Sequence, residues 1–482
     1  MAYHTLQDFI RVLEEHHELK RVAFPVDPVL EISEITDRVV KAGGPALLFE
    51  QPKGSDVPVL INTFGSERRM ALALGVSRIE DLAQEVADLL RPEVPSGLRD
   101  KLQWAGKALR IAPHLQPRVV PSGLCQEVVH LGEQADLNRF PILQCWPQDG
   151  GRFITLPLVF TRHPLTGQRN VGMYRMQVFD GRTTGMHWHL HKGGSEQYQT
   201  YEELGKRMEV AVALGGDPAL IYAATAPLPS GFDEMVFAGF IRKQAVELVR
   251  CKTVALEVPA QAEIVLEGYV DPGERRLEGP FGDHTGFYSL AEEYPVFHVT
   301  AITHRRQPVY PAIIVGKPPM EDTYLGKATE RLFLPLIRLF LPEIVDLNMP
   351  LEGVFHNCVM VSIRKRYPGH ARKVCYGLWG LGQLMLSKFI IVVDAHVNVQ
   401  DVSEVMFHVW NNVDPRRDTF IVEGPLDALD HASPTLRYGS KMGLDATRKW
   451  PEEGHPREWP EEITMSPEVQ RRIDEIWREL GI

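Results

Sequence analysis

The strongest constraint on this chain is a change of pattern along it. Between residues 141 and 316, short apolar runs separated by glycine-bearing turns replace the strand–helix alternation found on either side. Strands are expected there at 154–161, 170–179, 185–191, 209–214, 219–224, 253–258, 262–269, 296–304 and 309–314. The turns His163-Pro164-Leu165-Thr166-Gly167-Gln168 and Asp180-Gly181-Arg182-Thr183 make the first of these an antiparallel meander. So many short strands point to a barrel.

The flanks read differently. Leu6, Phe9, Ile10 and Leu13 follow helical spacing, strands are expected at 19–24, 46–49 and 57–63, and a helix at 79–90. Residues 1–110 therefore form a small α/β unit. Residues 91–123 carry five prolines with weak periodicity and read as a linker. From residue 321 the α/β pattern returns. A helix over 321–340, bent at Pro335, precedes strands at 354–363, 389–393 and 419–422, with helices at 371–385 and 403–410. Ser466-Pro467-Glu468 caps a last helix, after a proline-rich stretch over 450–460. A helix tethered that loosely is expected to pack on a second subunit.

Composition closes off several classes. The 482 residues have room for about three domains. Charged residues make up 24% and apolar residues 44%, which excludes disordered, collagenous and coiled-coil chains. A net charge of −11 argues against sequence-independent binding to nucleic acid or anionic lipid. Cys125, Cys145, Cys251, Cys358 and Cys375 form no C-x-x-C, so a reducing cytoplasm is expected. The start of the chain has no secretory pattern, and the most apolar stretch, 332–341, is too short to cross a bilayer. There is no P-loop, no G-x-S-x-G and no H-E-x-x-H, and Gly377-Leu378-Trp379-Gly380-Leu381-Gly382 has the wrong glycine order for a dinucleotide fingerprint.

The chemistry-bearing residues fall in four segments of the middle region. In Asn170-Val171-Gly172-Met173-Tyr174-Arg175, period two points Asn170 and Arg175 to opposite faces unless Gly172 permits a bulge. His187, His189 and His191 share a face, either as a metal-binding run or as hydrogen-bonded strand histidines. Glu234 opens a helix; alone it is a cap, but with Asn170 and His191 it completes an N/O set suited to Mn²⁺ or Mg²⁺ bridging to a phosphate. In Glu278-Gly279-Pro280-Phe281-Gly282-Asp283, the glycines let both acids turn into one pocket. A nearby arginine would hold one carboxylate ionised while crowding raises the pKa of the other.

These residues resemble the UbiD family of decarboxylases, which use a prenylated flavin mononucleotide. The resemblance spans the whole chain, from Leu6-Gln7-Asp8-Phe9-Ile10 through Glu278-Gly279-Pro280-Phe281-Gly282-Asp283 to Gly439-Ser440-Lys441-Met442-Gly443-Leu444-Asp445-Ala446-Thr447. Trp188 with His191-Lys192-Gly193-Gly194, and residues 441–450, look closest to the polyprenyl-hydroxybenzoate branch. The resemblance implies an α+β multidomain fold: an N-terminal α/β domain over 1–115, a flavin-reductase-like split β-barrel over 116–318, a C-terminal α/β oligomerisation domain over 319–465 and a terminal helix over 466–482. It implies Asn170, His191 and Glu234 as ligands of Mn²⁺ or Mg²⁺, with K⁺ a further candidate ion, and Lys388 as the lysine reaching the cofactor phosphate. Met173, Tyr174, Arg175, Leu190, Ala226 and Pro227 would line the cofactor, and Arg175, Glu278 and Asp283 would be catalytic.

The expected reaction is a reversible, non-oxidative decarboxylation of an aromatic or α,β-unsaturated acid. The expected partners are a flavin prenyltransferase as cofactor supplier and further copies of the chain, in a homodimer or homohexamer. Glu278 is the favoured proton donor, with Asp283 tuning it. Asp283 stands where some members carry glutamate, and His187 and His189 stand where histidines are not expected, so both stay outside the ligand set. The alternative is an FMN-dependent reductase, which gives Glu278 and Asp283 no task.

Overall fold

The computed structural model describes residues 3–90, 115–188, 193–229 and 231–481. It is a mixed α+β chain with three principal sheets. The first has four strands, in the order Leu19–Val22, Ala46–Phe49, Val59–Ile61 and Tyr310–Pro311. Its helix Leu6–Glu15 starts at a Thr5–Asp8 capping box and buries Leu6, Phe9, Ile10 and Leu13. Tyr310–Pro311 comes from the stretch expected in the middle sheet, yet pairs in parallel with Val59 and Leu60. A short apolar run carries no signal of which sheet edge it completes.

The second sheet has seven antiparallel strands. Thr183–Gly185, Glu292–His304, Ile264–Glu278, Met208–Leu214, Leu158–Arg162 and Arg169–Met173 follow in order, and Val128–Leu131 pairs on Glu292–His304. Among the described residues its two ends do not pair, so the expected barrel is an open sheet by hydrogen bonding. Its spine is one hairpin, Ile264–Glu278 with Glu292–His304, longer than the two runs expected there. The third sheet has five strands, in the order Ile344–Asn348, Cys358–Ile363, Phe389–Asp394, Tyr438–Asp445 and Thr419–Pro425.

Other expectations change in detail. Residues 219–224 are not a strand but helix Pro218–Ala223 with its C-cap Ala224, because Asp217 caps it through Ala219 N and Pro218 opens its first turn. Of the strand expected at 185–191, Gly185 ends the strand Thr183–Gly185, residues 186–188 form none, and 189–191 lie outside the described residues. Most of the expected linker, residues 91–114, lies outside the described residues, and Arg118–Val120 pairs with Glu247–Arg250. Helix Glu321–Phe340 runs unbroken through Pro335. The terminal helix Pro467–Ile476 forms on its Ser466 cap and buries no residue.

The three regions share packing. Phe9, Leu13 and Leu82 belong to one apolar cluster with Leu158, Ala213 and Leu332. A polar staple adds to it: Glu321, the first residue of its helix, accepts bonds from Asn62 N, Phe64 N and Thr63 Oγ1. No helix among the described residues is long and apolar enough to cross a membrane.

Candidate active site

The site is built where the chain changes sheets. Arg169–Met173 ends before Tyr174, and Met176–Gln177 then pairs with Phe153–Ile154 in a separate two-stranded sheet. Tyr174 and Arg175 bridge the two, so period two does not run from Asn170 to Arg175 and no bulge is needed to turn Arg175 inward.

Arg175 bridges the two acids. Its Nε donates to Glu278 Oε1 at 3.1 Å, its guanidinium also donates to Asp283, and it lies 4.6 Å from the centre of the Phe281 ring. Glu278 is the last residue of its strand and is 1% exposed. His187 Nδ1 lies 2.7 Å from the same Oε1, whereas Oε2 is buried with no partner among the described residues. A Cβ on Gly185 would fall 2.8 Å from that Oε2, so residue 185 cannot carry a side chain without moving the acid. Asp283 has both oxygens engaged: Oδ2 by Arg175, and Oδ1 by the amide and ring Nδ1 of His284, each at 2.8 Å.

The loop carrying Asp283 is held from behind. Asp149 accepts from Gly282 N, Cys145 N and Trp146 N. Gln177 accepts from Gly279 N and donates to Gly150 O. Phe281 N donates to Ser289 Oγ, which also takes a bond from Arg175.

The electrostatics correct one expectation. Burial pushes Glu278 up, but His187 and Arg175 outweigh it and leave the carboxyl below its ordinary value. Asp283 is likewise pulled well below the carboxylate range, against its burial, by Arg175 and His284. Crowding therefore raises neither acid: one guanidinium serves both, and each has its own histidine. Burial and Arg175 hold His187 below the usual histidine value.

At the other end of the same strand lies the expected metal set. Val171 N donates to Glu234 Oε2 at 2.9 Å, which brings Glu234 beside Asn170. Burial pushes Glu234 up to about 7. Asn170 Oδ1 lies 2.2 Å from where a Cβ on Gly193 would sit, and Tyr174 OH accepts from Gly194 N at 3.2 Å. His191 and Leu190, together with His189, lie outside the described residues, but Gly193 and Gly194 just beyond them face Asn170 and Tyr174. Met173 N donates to Ala224 O, which sets the half-buried Ala226 and Pro227 loop next to Met173. Lys388 is placed in an ion pair with Asp430, at 2.8 Å, and the adjoining His431 packs on Phe287 of the Asp283 loop at 4.1 Å.

Sequence reasoning missed His284, His356, Asp149 and Gln177. His284 had a local signal, standing beside Asp283 in the motif, whereas His356 comes from the C-terminal region and none marked it.

Sequence patterns of three domains match the chain: the 3-octaprenyl-4-hydroxybenzoate carboxy-lyase N-terminal domain over residues 10–89, its Rift-related domain over 118–318 and its C-terminal domain over 323–446. An uncharacterized protein of Archaeoglobus fulgidus is 54% identical over 100% of this chain and 99% of its own length. An evolved dimeric form of the UbiD-class enzyme HmfF from Pelotomaculum thermopropionicum, in complex with prFMN, is 30% identical with TM-score 0.78, covering 97% of this chain and 98% of its own. The closed form of Sedimentibacter hydroxybenzoicus vanillic acid decarboxylase is 28% identical with TM-score 0.86, covering 100% of this chain and 99% of its own. The three matched domains, in order along one chain, and the shared fold show that this protein belongs to the UbiD family of carboxy-lyases.

Proposed function

We propose that the protein is a prenylated-FMN-dependent decarboxylase that removes CO₂ non-oxidatively, and reversibly, from an aromatic or α,β-unsaturated carboxylic acid such as a polyprenyl-hydroxybenzoate or related aryl acid. The observation that carries this is the buried Arg175 bridge between Glu278 and Asp283, five residues along the chain from Asn170. HmfF in complex with prFMN and a decarboxylase of vanillic acid, both sharing the fold, support the cofactor and substrate classes.

The oxygen donors of Asn170 and Glu234, brought near each other by the Val171 N to Glu234 bond, support a site for the cofactor's ion. Asn170 and Glu234, with His191, would hold Mn²⁺ or Mg²⁺ against the phosphate, K⁺ being the further candidate, and Lys388 would reach the phosphate on release from Asp430. Met173, Tyr174, Leu190, Ala226 and Pro227 would line the body of the cofactor. The bound cofactor supplies an electron sink for the carbon that loses CO₂.

The protein's own residues orient the substrate and manage its proton. Arg175 would orient the substrate carboxylate. Loss of CO₂ leaves an electron pair on carbon, which takes a proton from Glu278. Glu278 is favoured over Asp283 because Oε2 has no other partner, whereas both Asp283 oxygens are occupied. Both acids are held below their ordinary values, so Glu278 must take up a proton before it can donate one.

The open central sheet is read as a split barrel, with domain boundaries at 115, 318 and 465. The unburied terminal helix is read as an oligomer contact, in a dimer or hexamer in the cytoplasm. The test is co-expression with a flavin prenyltransferase, followed by the mass and absorbance of the bound cofactor and by parallel assays of CO₂ release and NAD(P)H oxidation. CO₂ release without NAD(P)H oxidation is expected; the converse would establish the reductase reading instead.

A further inference from the structure

We propose that His396, His408 and Glu462 form a second divalent-metal site, of Zn²⁺ character, that fastens the C-terminal tail to the five-stranded sheet domain. It lies apart from the acid network and the cofactor's ion set, and it does not depend on the decarboxylase reading. The three donor atoms lie within 4.8 Å of one another. His396 Nε2 is 3.4 Å and His408 Nδ1 is 3.7 Å from Glu462 Oε1. Ligands about 2.0–2.2 Å from a tetrahedral Zn²⁺ stand about 3.4 Å from one another, so the carboxylate oxygen already sits near ligand spacing from both rings. Rotation of the exposed His396 side chain closes the wider separation.

The fold holds two of the ligands in place. His408 shares the buried face of helix Val402–Asn412 with Val405 and Val409. Val397 packs with both valines in one apolar cluster, which sets the preceding His396 against His408, ring centroids 5.8 Å apart and planes 79° apart. His408 is only 5% exposed, so its ring is positioned before any ion arrives. Asn412 Nδ2 lies 3.3 Å from His408 Nδ1 but also donates to Ala446 O at 3.1 Å, so an ion displaces one long contact and strands nothing. Glu462 comes from the tail after strand Tyr438–Asp445, in a stretch over 455–466 with no helix or strand. That tail is tied down upstream by Lys365 to Glu453 at 2.5 Å and Arg448 to Glu461 at 3.4 Å.

Direct histidine–carboxylate pairs elsewhere in this protein are tighter: His187 and Glu278 close to 2.7 Å, and His298 and Glu274 to 2.6 Å. At Glu462 both rings stand off, and no lysine or arginine among the described residues pairs with it. Asp271, Glu274 and His298 also cluster, but Arg207 already holds Asp271 by bonds of 2.6 and 2.9 Å, which leaves no charge for a cation to neutralise there. Two imidazoles and one carboxylate favour Zn²⁺ over Mn²⁺ or Mg²⁺, with water in the fourth position. Glu462 lies shortly before the Ser466 cap, so an ion on it fixes where the terminal helix Pro467–Ile476 leaves the domain.

The test starts from apoprotein carrying Glu234→Gln, which disables the cofactor's ion set, titrated with Zn²⁺ by calorimetry. One Zn²⁺ per chain is expected, with affinity falling at least about tenfold when His396→Ala or Glu462→Gln is added. Both side chains are exposed, so neither change opens a cavity. A second readout is trypsin cleavage after the exposed Arg457 in the tail. Zn²⁺ should slow that cleavage several-fold in the parent and leave it unchanged in His396→Ala, and Mn²⁺ at the same concentration should protect neither. No stoichiometric Zn²⁺ binding, binding undiminished by both variants, or cleavage unaltered by Zn²⁺ would each overturn the proposal.

Discussion

Replacing Arg175 by methionine removes the guanidinium that the buried Glu278 and Asp283 share. In the wild type, Glu278 and Asp283 are depressed, so their stabilising contribution is complete above the ordinary carboxylate range and is lost only as pH falls below it. Between pH 5 and 7 they add no slope. In Arg175→Met one acid must take a proton to stay buried. At pH 7 that lies about three pH units above an ordinary carboxylate, and at about 1.4 kcal/mol per unit the cost is about 4 kcal/mol. Breaking a buried ion pair costs about 3–5 kcal/mol, so the two routes agree. The deficit should shrink by about 1.4 kcal/mol per pH unit on acidification, to about 1.5 kcal/mol at pH 5. Thermal unfolding of the apoprotein at pH 5, 6 and 7 reads this as a Tm loss of roughly 4 °C at pH 7 and roughly 1.5 °C at pH 5. A deficit that does not change with pH would refute the ionised pair.

Burial raises Glu234 to about 7, so the folded apoprotein holds that proton more tightly than the unfolded chain and loses the associated stability as pH rises through about 7. Mn²⁺ must displace the proton, so calorimetry should show affinity falling about tenfold per pH unit below 7, and Glu234→Gln should abolish binding; affinity flat from pH 5 to 8 would exclude Glu234 as a ligand. Gly185→Ala places a methyl 2.8 Å from Glu278 Oε2 and should lower kcat with little change in KM, at a stability cost of about 1–3 kcal/mol; unaltered kcat would show that Oε2 does not deliver the proton. Glu321→Ala strands the three donors Asn62 N, Phe64 N and Thr63 Oγ1 and should cost at least about 3 kcal/mol in thermal unfolding; a loss under 1 kcal/mol would deny the staple.

Local rules were legible where local physics decided. The Leu6–Glu15 helix, the Ser466 cap and the return to α/β after residue 321 follow from spacing and capping alone. Pro218–Ala223 was misread because its buried, uniformly apolar run has no periodicity; only Asp217-Pro218 marked it as a helix. Tyr438–Asp445 was not expected as a strand because its glycines weaken β propensity, yet it sits between Phe389–Asp394 and Thr419–Pro425. Arg175, Glu278 and Asp283 were each visible in motifs and do converge. Their ionisation was not, because it depends on His187 and His284, and His284 in turn meets a ring 72 residues away.

The most direct measurement is CO₂ release from a panel of aryl acids by cofactor-loaded wild type and loaded Glu278→Gln, with bound cofactor quantified in both. The wild type should release CO₂ and exchange solvent deuterium into the product, while the variant keeps its cofactor and does neither. A fully loaded Glu278→Gln enzyme that releases CO₂ at the wild-type rate would contradict the assignment of the buried acid as the proton donor.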